Sequence, residues 1–177
     1  MTEKKTDIRL LKQAVQGNRP AFGELYARYA DTVYNYALWF AGAAQVAEDI
    51  VQEVFLHLLS RPDSYRGTGS LKSYLLQIAR HRMLNLKRDR AVEKKALQHL
   101  QELQFFRSQP SDAAQERTGQ INRTLQALPF EKREAVALRL FEGMTFEAIG
   151  KLIQCPARTV ESRYYSALKQ LKDITHG

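Results

Sequence analysis

A single cysteine, Cys155, stands among the 177 residues, so no intramolecular disulfide can form, and the chain suits a reducing compartment. One cysteine cannot complete a zinc site, and His57, His81, His99 and His176 show no ligand spacing; neither a metal nor any other cofactor is expected. No apolar run approaches the roughly 18 residues that a membrane helix needs. The Met1 to Asp7 stretch is too polar to head a signal peptide. A cytoplasmic protein without membrane insertion is expected. Strand signals are scarce: there is no Asn-Gly or Asp-Gly dipeptide and no sustained alternation of period two. The chain also lacks a phosphate-binding loop, a nucleophile elbow and any Ser/His/Asp set that the sequence can assemble, so no catalysis is expected.

What the chain has is positive charge, unevenly placed. The net charge is +8. Residues 61–96 hold 10 Lys/Arg against 3 Asp/Glu, whereas residues 1–60 hold 6 against 7. Residues 97–117 hold 2 against 3, and residues 118–177 hold 9 against 6. Charge gathered in one stretch of 36 residues points to a polyanionic partner rather than to solubility alone.

Helical periodicity fills most of the rest. Ile8, Leu10, Leu11, Ala14 and Val15 predict a first helix ended by Gly17. Asn18 caps a second, with Pro20 tolerated in its first turn and apolar residues stepping by three and four to Phe40. The third is predicted over Ala44–Ser60, with Val46, Ile50, Val51, Val54, Phe55, Leu58 and Leu59 facing inward and Glu48, Asp49, Gln52 and Glu53 facing out. Pro62, Gly67 and Gly69 make 61–70 a loop, and Ser70 caps a fourth helix over about Leu71 to Arg90. Its core side is Leu71, Tyr74, Leu75, Ile78, Ala79 and Met83, and its basic side carries Lys72, Arg80, Arg82, Lys87 and Arg88. The pattern weakens from Val92 to Arg117, where Lys94–Phe106 is a candidate helix broken by Ser108 to Asp112. The fold expected is all-α, two small helical domains at 5–91 and 118–174 joined by a flexible linker over 92–117.

In the second unit, helices are predicted up to about Leu128, over about Glu131–Phe141, over Thr145–Ile153 and over Ala157–Asp173, with a tight turn at Gln154-Cys155-Pro156. Two short helices joined this way form a helix-turn-helix, whose second helix enters the major groove. The residues that would reach bases and phosphates are Arg158, Thr159, Glu161, Ser162 and Arg163. Arg grips guanine in bidentate fashion and Glu accepts from cytosine, each contact worth about 1–3 kcal/mol of discrimination. Leu128-Pro129, Lys132 to Leu138, Glu142 to Gly150 and Cys155 to Arg163 together resemble the promoter-reading C-terminal domain of extracytoplasmic-function (ECF) sigma factors. The resemblance implies that this unit reads a promoter's minus-thirty-five element. The family usually has Gly at the turn position of Gln154, Gly at Arg158 and Arg at Ser166.

Ala47-Glu48-Asp49-Ile50-Val51-Gln52-Glu53-Val54-Phe55 is similar to the same family's polymerase-docking helix, so the resemblance implies that Asp49, Gln52 and Glu53 hold core RNA polymerase. An acidic, amide-bearing face would complement a basic partner helix. The stretch from Tyr65 to Arg88 resembles the family's minus-ten recognition and melting elements. Opening a duplex requires neutralised phosphates, a pocket for an extruded base and planar surfaces for unpaired bases. Lys72, Arg80, Arg82, Lys87 and Arg88 suit the first, Tyr65 and Arg66 the second. Tyr74 either stacks on a base or belongs to the apolar stripe, and His81 and Asn85 are candidate polar readers. The partners implied are core RNA polymerase, promoter DNA as duplex and melted strand, and an anti-sigma protein of the kind that often restrains this group. Phe105 and Phe106 would pack the linker against a partner or a domain. The alternative is a stand-alone helix-turn-helix regulator, which would have no use for the Asp49, Gln52 and Glu53 face.

Overall fold

The computed structural model describes residues 3–67, 69–98 and 124–176, all of them helix, turn or loop, with no strand among them. The first half holds α1 (Glu3–Val15), α2 (Arg19–Ala41), α3 (Ala44–Ser60) and α4 (Leu71–Gln98). The second holds α5 (Phe130–Val136), a π-helical turn (Ala137–Phe141), α6 (Phe146–Ile153) and α7 (Ala157–His176).

Local chemistry sets most of these boundaries. The Asn18 side chain accepts from the Ala21 amide at the head of α2, and Pro20 sits in the first turn where its missing N–H is not needed. Gly42 ends α2 in the left-handed region. The Ser70 hydroxyl accepts from the Ser73 amide at the start of α4, and Thr145 does the same for Ala148 at the start of α6. Glu147, in the first turn of α6, accepts from its own amide and then from the Thr145 hydroxyl, which hold its carboxyl below the usual range.

Two elements differ from the sequence expectation. Helix α4 continues to Gln98 rather than stopping near Arg90. The stretch Ala91-Val92-Glu93-Lys94-Lys95-Ala96-Leu97 has no Gly or Pro and is rich in helix formers, so nothing in it breaks the hydrogen-bond ladder. Beyond Gln98, the candidate helix to Phe106, the linker and Phe105 and Phe106 lie outside the described residues. The helix expected over Glu131–Phe141 widens after Val136 into π geometry, with the Glu142 amide donating to the Ala137 carbonyl. The wider turn keeps Leu138 buried while bringing the Phe141 ring to 4.4 Å from Trp39.

In the first half, α2 lies at the centre, packed by α1, α3 and α4. Leu25, Val33, Tyr36, Ile50, Val54, Leu58, Leu71, Leu75 and Leu76 lose essentially all contact with water. Each fully buried large aliphatic contributes about 1.5–3 kcal/mol. Asp7 ties α1 down, accepting from Arg28 at 2.6 Å and from the Tyr29 hydroxyl at 2.7 Å. In the second half, α5 and α6 both pack on α7 through Ala135, Ile149, Leu152, Val160 and Ala167. The two halves share buried surface: one core cluster runs from α1–α4 into Ala135, Leu138, Ile149 and Val160, and a second gathers Trp39 with Leu125, Leu128, Val136 and Ala167.

Candidate functional site

The residues singled out by sequence fall on three surfaces. On α3, Asp49, Gln52 and Glu53 are all exposed on the face opposite Ile50, Val51 and Val54. Glu53 leans to Arg82 of α4 at 3.3 Å, so the acidic face borders the basic one. Leu56, one turn further along α3, is 65% exposed, an apolar side chain beside charged neighbours.

The second surface is α4 with the loop before it. Tyr65 and Tyr74 lie ring to ring at 5.3 Å, both half-buried. The Tyr65 hydroxyl donates to the Gly69 carbonyl at 2.9 Å, closing the loop, and the Tyr74 hydroxyl meets Ser64. Tyr74 is therefore part of a small aromatic stack packed on the edge of the core, rather than a free platform. Arg66, His81 and Arg88 are exposed, and Asn85 bonds His81 at 3.3 Å. A groove of about 1070 Å³ between α3, α4 and the end of α6 is bordered by His57, Arg61, Arg80, His81 and Arg82. Burial, followed by the charges of Arg61, Arg82 and His81, holds the His57 imidazole below its ordinary range.

The third surface is the first turn of α7. Here the backbone does the aiming. Gln154 ends α6 in the left-handed region at φ 58°, ψ 47°, at the turn position where the family usually has Gly. The Cys155 amide then returns to the Gly150 carbonyl at 2.9 Å. A β-carbon on Gly150 would lie 2.6 Å from the Cys155 carbonyl oxygen, so only glycine lets the turn close this tightly. Arg158, Glu161 and Ser162 project into solvent, while Val160 and Ala167 anchor the helix from behind. Thr159 is half-buried, and Arg163 lies with its Nη1 3.8 Å from the Cys155 sulfur.

The structure also joins groups that the sequence reading left separate. Arg80 Nε donates to Glu134 Oε1 at 2.8 Å, and the Tyr36 hydroxyl donates to the same oxygen at 2.8 Å. Glu134 is fully buried. Burial, and then that carboxylate, pushes the Tyr36 phenol well above its usual range. Lys72 pairs with Glu142 at 2.6 Å, and Lys87 sits 4.5 Å over the Phe130 ring. Next to Glu134, Arg133 turns the other way and donates to the Phe40 carbonyl at 3.1 Å and the Leu128 carbonyl at 3.0 Å, while Gln126 donates to the Trp39 carbonyl at 2.8 Å. The last carbonyls of α2 are orphans of the helical ladder, and a cation is favoured at that end of a helix. The phenyl rings of Phe40 and Phe130 meet edge to face at 4.5 Å.

Sequence reasoning gave no role to Glu134, Glu142, Trp39 and Phe130, which the structure joins to Arg80, Lys72, Phe141 and Lys87. One signal was present: Phe130, Glu134 and Leu138 recur at four-residue steps, so Glu134 is an acid on an otherwise apolar helix face. The partner of that acid, 54 residues away, carries no local signature.

Comparison with known proteins accounts for this arrangement. Residues 25–92 match the model for Sigma-70 region 2, and residues 118–171 match the model for Sigma-70, region 4, together more than two-thirds of the chain. The RNA polymerase sigma-H factor of Pseudomonas aeruginosa is 28% identical over 94% of this chain and 92% of its own length. The ECF RNA polymerase sigma-E factor of Escherichia coli K12 is 29% identical over 94% of this chain and 93% of its own. Among solved structures, CnrH in complex with the cytosolic domain of CnrY superposes with a TM-score of 0.73 at 24% identity, over 97% of both chains. A sigma factor RpoE in complex with the anti-sigma factor NepR from Bartonella quintana gives 0.72 at 20% identity, over 88% of this chain and 96% of that one. These two share the fold. With both sigma-70 regions present in order along an all-helical chain, and sigma factors as relatives over nearly its whole length, the chain belongs to the sigma-70 family, in its extracytoplasmic-function group.

Proposed function

We propose that this sigma factor binds core RNA polymerase through Asp49, Gln52 and Glu53 of α3 and directs it to promoters read at two elements. In this reading the unit at 5–91 handles the minus-ten element. Lys72, Arg80, Lys87 and Arg88 neutralise phosphates, Tyr65 and Arg66 hold an extruded base, and His81 and Asn85 read its neighbours, with Tyr74 backing Tyr65 from the edge of the core. The unit at 118–174 reads the minus-thirty-five element with Arg158, Thr159, Glu161, Ser162 and Arg163. The sequence that joins α4 to the second unit lets both engage one duplex, so that two weak contacts gain from effective concentration. The protein acts without catalysis, cofactor or metal, in the cytoplasm, on a stress- or envelope-response regulon held in check by an anti-sigma protein.

The observation that carries the reading is the presence of both sigma-70 regions with an open acidic face on α3, which a stand-alone regulator would not require. Run-off transcription with core polymerase on genomic fragments, with and without the protein, tests it. New discrete transcripts are expected; no transcript from any fragment, with no binding to core enzyme, would overturn it.

A further inference from the structure

We infer that α1 positions the loop proposed to hold the extruded base: the buried Asp7 carboxylate, gripped by Arg28 and Tyr29 of α2, seats α1 against the turn at Pro62–Ser64 and so fixes where Tyr65 stands. The inference rests on the reading of Tyr65 as a wall of that base pocket. Asp7 is a positioning residue and acts on DNA only through Tyr65.

Helix α1 spans Glu3–Val15 and so lies outside residues 25–92, the part of the first half that matches Sigma-70 region 2. Its inward face carries Asp7, Leu10, Leu11 and Ala14, at steps of three and four. Both leucines are buried, and Ala14 packs against the same core. Asp7 is 2% exposed, an acid on a face where an apolar side chain would serve stability as well or better. Its charge is held from two sides. Arg28 donates to one carboxylate oxygen at 2.6 Å, and the Tyr29 hydroxyl donates to the other at 2.7 Å, so neither oxygen is left to swing. Arg28 is itself held by Glu24, one helical turn earlier, at 2.7 Å. A grip of this kind specifies one seat for the helix, where apolar contact alone would accept several.

That seat faces the loop. Helix α1 packs on the 3-10 turn Pro62–Ser64, and Tyr65 follows directly. Burial, and then the Asp7 carboxylate, push the Tyr65 phenol above its ordinary range, so the two side chains share one electrostatic neighbourhood. On its far side the loop is fastened to itself and to α4: the Tyr65 hydroxyl donates to the Gly69 carbonyl at 2.9 Å, and the Ser64 hydroxyl meets Tyr74. On its near side Pro62–Ser64 is fastened by packing on α1 and α3. A binding site keeps its geometry only when the shell behind it is fixed.

The test uses holoenzyme, assembled from core polymerase and the full chain, with fluorescein-labelled minus-ten strands of a promoter mapped by run-off transcription. The strands are intact or carry one abasic site, moved along base by base. One position is expected to depend on its base by about tenfold, the worth of one well-stacked base, and Tyr65→Ala should abolish that dependence. Asp7→Leu, which keeps an apolar seat but removes the grip, should cut the dependence there to about threefold or less and leave the other positions as they were. A role in stability alone would lower the amount of active chain and leave the ratio of intact to abasic binding unchanged. If Tyr65→Ala removes the dependence and Asp7→Leu preserves it, the positioning role is overturned and the pocket reading stands. If no position responds to Tyr65→Ala, the pocket reading fails and the inference falls with it. Should Asp7→Leu lower helicity, Asp7→Asn, which keeps the shape without the charge, must still reduce the dependence by about twofold or more. Full dependence in that chain overturns the proposal.

Discussion

The Tyr36 hydroxyl and the Glu134 carboxylate, 98 residues apart, meet at 2.8 Å inside fully dry surroundings. The bond joins the middle of the first half to the first helix of the second. A hydrogen bond to a charged group contributes about 1.5–3 kcal/mol, and more is lost when a buried acceptor is stranded.

Tyr36→Phe is accordingly expected to cost about 2 kcal/mol in urea unfolding. The cost should shrink in a chain already carrying Glu134→Gln, because a neutral amide no longer demands the phenol. Equal costs in the two backgrounds would show that the bond contributes nothing specific.

Reversing charge at Asp49 and Glu53, as Asp49→Lys with Glu53→Lys, should abolish co-purification with core polymerase and leave the helical signal unchanged. Both side chains are exposed and neither contributes to the core. Glu53 does contact Arg82, but an exposed pair of this kind is worth only about 0.2–1 kcal/mol. Undiminished co-purification would remove the docking assignment.

Arg158→Ala should weaken binding of an upstream promoter fragment by about 1–3 kcal/mol, with folding unaffected because the side chain is exposed. Arg163→Ala should likewise weaken only the upstream element. An equal effect of either variant on an isolated minus-ten strand would contradict the division of labour.

The turn before α7 gives a stability prediction in both directions. Gln154 holds φ 58° with a full side chain, so Gln154→Gly should raise stability by about 1 kcal/mol. Gly150→Ala should lower it, since the new carbon would collide with backbone at 2.6 Å. Thermal unfolding of the two variants should move in opposite directions.

His57 gives a pH dependence. Its folded pKa lies below the ordinary 6.5, so below that pH the unfolded chain binds more protons than the folded one. Stability is therefore lost as pH falls from 6.5 through the folded value. His57→Gln should flatten this acid-side decline in urea midpoints measured from neutral pH downward; an unchanged profile would remove His57 as its source.

Much of the molecule was legible because its signals are local. The Asn18 and Ser70 caps, Gly17 and the periodic face of Ala44–Ser60 act within a few residues, and the helices start and stop where those signals stand. The positive φ of Gln154 fits the Gly that the family usually has at that turn position, a signal carried by the resemblance rather than by the residues of this chain. What escaped depends on packing. Leu76, absent from the predicted core side of α4, is fully buried, because α4 is covered on a wider arc than one stripe. Lys72 and Arg80 read as free cations, yet their partners lie 70 and 54 residues away, a pairing no short window contains. The π-helical turn brings Phe141 against Trp39, a partner about 100 residues away that Ala137–Phe141 itself does not announce.

The first turn of α7 has a further consequence for how such a protein can change. Its helix is fixed from below by Val160 and Ala167 and at its entrance by the Gly150 contact, while Arg158, Glu161 and Ser162 touch no core. Substitutions at such positions usually shift stability by less than about 0.5 kcal/mol. On the proposed role of these side chains, the address can therefore drift, or be rewritten by design, without disturbing the machinery that carries it there.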